Sequence, residues 1–402
     1  MGLQGWYGRH RAVVWMCTLI GINQLGFGAI VPVVPLYASS FGVRPSAIGL
    51  AIAVYGLARF LINVPTGQLA DRYGRRATLA FGGSVTVLGN LLCAVAPSYG
   101  LFLAARFVAG AGAALILTAA QIVLVDVTVP AQRGRVMGVY SGVFAFAVGA
   151  GPYPGGLLAE RFGLAAPFVA FAALSTVATA VAWFRVAETR RPRVAPARGR
   201  VAPSFGAQLR LLSVNTGFLL VSVISFSAAF ARTGALFNAV PLMATERLHL
   251  APDQIGFGLS LISLGALLLA YPSGALMDRF GRKAVIVPST IVSGLSALLF
   301  AAAPAYAWYL AACAVWSVAL GISSDAPGAY AADMAPPGMN AAVMSAYRML
   351  ADCGYVLGPL LVGLITDGFG APAALAVTCA LLVCAGLLFA RFAPESRWAS
   401  SS

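Results

Sequence analysis

Twelve stretches of roughly 20 to 30 mostly apolar residues, parted by short polar breaks, run through this chain, and each is long enough to cross ~30 Å of hydrocarbon as a helix. They fall at 12–38, 47–70, 77–97, 100–125, 136–159 and 164–185, and then at 213–243, 254–277, 284–304, 306–331, 342–366 and 371–391. Apolar residues make up 60% of the chain and charged residues 9%, against ~25% charged for an ordinary globular domain. With a mean hydropathy of +0.87, a soluble fold could not hide so much apolar surface, and lipid must be the solvent for most of it. The first stretch starts after Arg9-His10-Arg11 and continues to about Ala38. That is too long for the apolar region of a signal peptide and carries no small-residue cleavage site, so it reads as a retained helix. The fold class expected is an all-α membrane protein with twelve transmembrane helices.

A formal charge of +14 would suit a nucleic-acid partner if the charge were gathered on one face. Instead the basic residues sit in short clusters between apolar stretches, the arrangement that fixes topology in a membrane. No nucleic-acid partner is expected; the bilayer is. An amino terminus on the inside places 19 of the 26 basic residues on the cytoplasmic side, leaves Arg44, Arg161 and Arg247 outside, and puts four arginines within helices. Both termini are therefore expected in the cytoplasm of a cell whose inner membrane holds the chain. Segment 186–212 carries Arg190, Arg191, Arg193, Arg198, Arg200 and Arg210 among three prolines and reads as a solvated basic linker. The six cysteines (17, 93, 313, 353, 379 and 384) lie inside apolar stretches without metal-type pairing, so packing is the expected role and no metal site is expected.

The chain also repeats itself. Gly67-Gln-Leu-Ala-Asp71-Arg72-Tyr-Gly74-Arg75-Arg76 recurs as Gly274-Ala-Leu-Met-Asp278-Arg279-Phe-Gly281-Arg282-Lys283, 207 positions later. The same offset relates Asp126 to Asp333, Pro130 to Pro337, Gly151-Pro152 to Gly358-Pro359, Phe162-Gly163 to Phe369-Gly370 and Glu188 to Glu395. One register held over some 120 residues signals a duplication. Two pseudo-symmetric six-helix bundles of parallel topology follow, at 1–185 and 213–402, joined by the linker 186–212.

The loop GQLADRYGRR resembles the signature between helices 2 and 3 of the major facilitator superfamily, and GALMDRFGRK resembles its echo between helices 8 and 9. Glycines there allow a tight turn and close helix approach, and Asp71 and Asp278 can cap a helix amino terminus or pair with arginine. The resemblance implies that Gly67, Asp71, Arg72, Gly74, Arg75 and Arg76, with Gly274, Asp278, Arg279, Gly281 and Arg282, form a latch that breaks as the protein turns inward. Arg106 ahead of Gly110 and Gly112 is similar to the family's helix 4 motif, whose arginine is associated with proton coupling in drug:proton antiporters; a structural arginine snorkelling to the outer interface is the other reading. In helix 5, Gly151-Pro152-Tyr-Pro154-Gly155-Gly156 resembles the GPxxGG motif of antiporters and exporters. It offers a kinked, side-chain-poor face on which a neighbour can rock, and Pro154 is expected to add a kink of its own.

A charge inside a membrane helix costs several kcal/mol by insertion scales, so each such residue is a candidate. Arg59 lies mid-helix 2 on one face with Tyr55 and Asn63, Arg232 lies in helix 7, and Asn23 and Gln24 lie in helix 1. Arg348 and Asp352, four apart in helix 11, are either a satisfied ion pair or a carboxyl that exchanges a proton; Asp325 in helix 10 is a second proton candidate. Drug:proton antiporters often carry an acid in helix 1, where this chain has Asn23 and Gln24. Four arginines against two aspartates favour a substrate with a carboxylate or other electron-rich group over a pure cation.

The resemblance therefore implies a secondary transporter of the twelve-helix drug:proton antiporter type, working by alternating access and binding substrate near the midplane between helices 1, 2, 4 and 5 and helices 7, 8, 10 and 11. The alternative is proton-linked uptake of a polar or anionic metabolite. The partners expected are a small-molecule substrate and protons, the proton gradient serves as energy source in place of any cofactor, and the chain is expected to act as a monomer. No phosphate-binding glycine loop, HExxH or GxSxG occurs, and His10 and His249 are the only histidines, so an enzyme is not expected.

Overall fold

The structure is a computed structural model that describes residues 3–128, 133–189, 214–323, 326–335 and 340–394. Every regular element among them is helical. In chain order these are α1 (Leu3–Ile30), α2 (Val33–Ser39), α3 (Pro45–Tyr73), α4 (Arg75–Ala94), α5 (Tyr99–Val127), α6 (Arg133–Ala150), α7 (Pro152–Phe162) and α8 (Ala166–Arg185). After the linker come α9 (Thr216–Phe230), a π-helical turn (Ala231–Ala239), α10 (Val240–Leu248), α11 (Pro252–Phe280), α12 (Arg282–Ala302), α13 (Tyr306–Ser323), α14 (Ala326–Asp333), α15 (Asn340–Phe369) and α16 (Ala371–Phe392). Among the described residues, twelve stretches are long and apolar enough to span a membrane, the number expected from the sequence. Large apolar side chains such as Leu61, Phe81, Phe146, Phe184 and Leu268 stand exposed on them, as they must where lipid replaces water. The linker 186–212 lies outside the described residues from 190 onward.

Three stretches are not the continuous helices their hydropathy suggests. The first breaks at Val31-Pro32: Pro32 has no N–H to give to the carbonyl of Gly28, which accepts from Val31 N at 3.2 Å instead. The fifth breaks at Gly151, between α6 and α7. Pro154 does not add the second kink expected of it. It lies in the first turn of α7, where an N–H has no helical partner to lose. The seventh passes through nine residues of π-helix, a widening that hydropathy does not reveal.

The chain divides into two compact units, residues 1–193 with 244–263, and residues 194–243 with 264–402. In the first unit α5 runs through the interior, burying Phe102, Ala105, Ala109, Ala113, Ile116 and Val123 against neighbours on several sides. Small residues let backbones meet. A Cβ on Gly112 would strike Thr86, one on Gly110 the carbonyl of Tyr55, and one on Gly155 the carbonyl of Ala29. In the second unit the same role falls to Gly234, Gly354 and Gly358, which face backbone atoms of α15, Phe226 and Phe230 respectively. Pro359 in α15 leaves the carbonyl of Tyr355 without its helical donor, and Thr233 Oγ1 of the π-helix donates to it at 3.1 Å. Asn238 Nδ2 adds a bond to the carbonyl of Pro359 at 3.3 Å. The π-helix is thus pinned to α15 at two carbonyls, one of which Pro359 leaves without its helical donor.

Gly155→Ala forces α7 away from α1 and is expected to lower the melting temperature of the purified protein, by overpacking worth about 1–3 kcal/mol. Gly138→Ala, whose Cβ would meet nothing within 4 Å among the described residues, is expected to melt as the wild type or slightly higher. Equal melting temperatures for the two variants would remove the close-contact account.

Candidate functional site

The turn from α3 to α4 rests on Gly74, whose φ of 98° is closed to ordinary L-residues. Reversing the chain there points the amino terminus of α4 at the end of the first unit. Glu188, just past α8, accepts from Arg75 N at 2.9 Å and from Arg76 N at 3.2 Å, so a carboxylate closes the positive end of the helix. A Cβ on Gly74 would run into this carboxylate, a second reason for glycine. The Arg75 guanidinium spends its donors in three directions. Nε meets Asp126 Oδ2 at 3.0 Å, Nη2 meets Asp71 Oδ1 at 3.0 Å, and Nη1 donates to the carbonyl of Ala70 at 3.1 Å. Thr189 Oγ1 also donates to Asp126, at 3.2 Å. Of the two carboxylates, Asp126 is 21% exposed and Asp71 is 55% exposed.

The second unit repeats this at the same offset. Gly281 has φ 86°, and Arg282 Nε meets Asp333 Oδ2 at 2.9 Å. Here Lys283 Nζ donates to the carbonyl of Ala393 at 2.9 Å. Glu395 and the side chain of Asp278 lie outside the described residues, as does the environment of Gly274. Both copies thus tie an arginine at the head of one helix to an aspartate at the tail of another. Arg72 and Arg279 take no part in these ties; each lies over the aromatic ring that follows it, Tyr73 and Phe280. Gly67 departs from the close approach expected of it: a Cβ there meets no described atom within 4 Å.

Arg106 does not snorkel. It is 2% exposed, its Nε donates to the carbonyl of Ala51 at 3.2 Å, and its Cζ lies 4.4 Å from the centroid of the Tyr55 ring. Tyr55 in turn stacks on Phe27 at 5.5 Å. The aromatic faces supply the negative potential that a carboxylate would supply in water. Nη1 of Arg106 has no acceptor among the described residues. Arg59 is half-buried one turn beyond Tyr55, and Asn63 accepts from Thr118 Oγ1 at 3.0 Å, joining α3 to α5. Asn23 and Gln24 are buried in α1, and both amide atoms of Asn23 lack a partner among the described residues.

In the second unit Arg232 stands exposed on the π-helix, Arg348 is exposed on α15 and Asp352 is half-buried one turn on. Asp325 lies outside the described residues. The glycine-proline stretch of the fifth span is packed on both sides within the first unit. Gly151 and Gly155 abut Gly28 and Ala29 of α1, while Gly156 abuts Pro252 and Asp253 at the start of α11. Across that second contact Tyr153 N donates to Ser260 Oγ at 3.0 Å, and the rings of Tyr153 and Phe257 meet edge to face at 5.7 Å. Sequence reading missed Glu188 as a cap, Tyr55 as the partner of Arg106 and Ser260 as the partner of the glycine stretch. Only Glu188 left a signal, its place in the repeat.

The family model described as Major Facilitator Superfamily matches residues 16–244 and again residues 221–401. The chain is similar to Multidrug resistance protein 2 of Bacillus subtilis, at 24% identity over 87% of each chain. It is also similar to the class C tetracycline resistance protein of Escherichia coli, at 28% identity over 73% of this chain and 74% of that one. Among solved structures it shares its fold with a bacterial homologue of the human lysosomal transporter Spinster, with a TM-score of 0.77, 16% identity and coverage of 95% and 96%.

Asp126→Asn is expected to destabilise the protein more than Asp71→Asn. The first strips a partly buried arginine of its less exposed partner, worth about 1–3 kcal/mol, whereas an exposed pair is worth about 0–1 kcal/mol. Thermal melts of the two purified variants decide it, and an Asp71→Asn that melts lower reverses the ranking.

Proposed function

The chain belongs to the major facilitator superfamily, and from that premise we propose that it exports small organic molecules in exchange for protons across the inner membrane. It is a multi-pass membrane transporter, so a small-molecule substrate follows. Export is the reading best supported by the fifth span. Its glycines bring bare backbone against α1 on one side and against residues 252–256 on the other, a surface with few side chains to unlock when helices shift. Relatives that carry resistance to tetracycline and to multiple drugs in their names agree with it.

In this reading the transporter works by alternating access, as a monomer with both termini in the cytoplasm and with no cofactor beyond the proton gradient. Asp352 carries the exchanged proton, with Asp325 as second carrier. Arg348, one turn from Asp352, favours the charged carboxylate, and loss of water around it favours the protonated one, so a change of surroundings loads and unloads the proton. Arg59, Arg106, Arg232, Asn23 and Gln24 serve substrate binding or coupling. The excess of arginine over aspartate in the spans favours a second reading, proton-linked uptake of an anionic metabolite.

Proteoliposomes with an imposed pH gradient separate these readings. Export predicts that substrate moves against the proton flow, that collapse of the gradient stops accumulation, and that Asp352→Asn loses gradient-driven flux at least about ten-fold while keeping substrate exchange. Substrate moving with the protons selects uptake. Flux indifferent to the gradient, or an unchanged Asp352→Asn, removes proton coupling.

A further inference from the structure

Two arginines at one end of the first unit stand against indole rings and not against carboxylates. Arg76, at the head of α4, holds its Cζ 4.8 Å from the centroid of the Trp183 ring, and Arg185, the last residue of α8, holds its Cζ 5.5 Å from that of Trp15 in α1. Two positions apart on a helix of about 3.6 residues per turn, Trp183 and Arg185 leave α8 on opposite flanks. Phe184 lies between them and is 76% exposed, and Trp183 is 47% exposed. The last turn of α8 thus carries an arginine–indole pair on each side of a bare apolar face.

We propose that this end of α8 binds anionic glycerophospholipid, with Arg76 and Arg185 meeting the phosphate level from its two flanks and Trp183 and Phe184 lying against the glycerol and acyl portion. Charge is the first argument. The carboxylates at this end are already engaged, Asp71 and Asp126 by the Arg75 side chain and Glu188 by the N–H groups of Arg75 and Arg76. In residues 1–193 fifteen basic residues stand against four acidic ones, and the fourth acid, Glu160, lies in α7, beside the start of α8 and a whole helix away. The adjoining stretches 1–10 and 190–213 contain no acidic residue in their sequence. The counter-charge has to come from outside the unit, and the exposed Phe184 between the two pairs shows that lipid is what lies there.

The second argument is how the guanidinium groups are held. A ring under a guanidinium covers one face and leaves the planar fork of N–H donors at its edge, and a phosphate oxygen pair accepts from that fork. Arg185 is exposed and Arg76 half-buried, and neither has an ion pair among the described residues. Nε of Arg76 is buried without an acceptor among them. The third argument is depth. Indoles settle where hydrocarbon gives way to headgroups, so rings at 15 and 183 set both guanidinium groups at the level of lipid phosphates. A zwitterionic lipid would bring an ammonium group to a place where every nearby carboxylate is taken. An anionic one brings no such group.

Trp183 itself reports on the site, and no substrate or gradient is needed to read it. The full-length protein is reconstituted into phosphatidylcholine bilayers, dibrominated phosphatidylglycerol or dibrominated phosphatidylcholine is titrated in, and quenching of tryptophan fluorescence is followed. The part of the quenching that disappears in Trp183→Phe is the signal from this end of α8. Phosphatidylglycerol is expected to half-quench that part at a mole fraction at least about five-fold lower than phosphatidylcholine, since each arginine near an anionic headgroup is worth about five-fold. Arg76→Gln combined with Arg185→Gln is expected to bring phosphatidylglycerol to the phosphatidylcholine level, and the matching pair of changes to lysine to keep most of the preference. Equal quenching by the two lipids, a preference confined to the signal that survives Trp183→Phe, or a glutamine double variant that keeps its preference overturns the proposal. The comparison of lipids on the wild type stands even where a variant fails to fold.

Discussion

In lipid the hydrophobic effect does not press helices together, so these bundles depend on how closely their backbones can approach. The contacts bear this out at corresponding places in the two units. Gly151 meets Gly28 in the first, and Gly358 meets Phe230 and Gly234 in the second. Each has a proline directly after it, at 152 and 359. The proline loosens the helical ladder where the glycine removes the side chain, so one crossing point is both intimate and deformable. The second unit adds Thr233 and Asn238, which reclaim carbonyls around Pro359. No equivalent pair of side-chain bonds is present at Pro152 among the described residues, and that stretch makes its second contact through Tyr153 and Ser260 instead.

A second constraint acts at the membrane surface, where short loops must turn tightly and still satisfy exposed helix ends. Positive-φ glycines at 74 and 281 make the turns, and Arg75 and Arg282 each reach an aspartate at the far end of another helix. A carboxylate from beyond α8 caps α4, and a lysine at the head of α12 reaches the carbonyl just past the end of α16. Both contacts join the same two helix ends.

Much of this was legible before any coordinates. Hydropathy placed twelve stretches, and the 207-residue offset brought out Asp126 with Asp333 and Gly74 with Gly281. It did not say that each aspartate pairs with the arginine of the recurring loop, because an offset relates copies to each other and not neighbours in space. The π-helix was invisible for a different reason. Over nine residues its periodicity is too close to that of an α-helix for apolar spacing to separate them, and the stabilising bonds come from α15. Gly67 misled because a glycine in a motif reads as close approach whether or not a neighbour is there. For Arg106 an interfacial position was one of two open readings, and its partner is an aromatic face two helices away in sequence, which no local spacing reveals.

The arginines of the spans follow from one rule, that a buried charge must be answered by something. In the first unit the protein gives the answer itself: Arg106 lies on Tyr55, Tyr55 on Phe27, and the carbonyl of Ala51 takes a hydrogen bond. The side chains around it are packed, and only 2% of Arg106 is exposed. In the second unit Arg232 lines a cavity together with residues of α9, α12, α13, α14, α15 and α16. The two halves therefore place their arginines differently, one among packed aromatic side chains and one on a cavity wall, although both descend from the same repeated sequence.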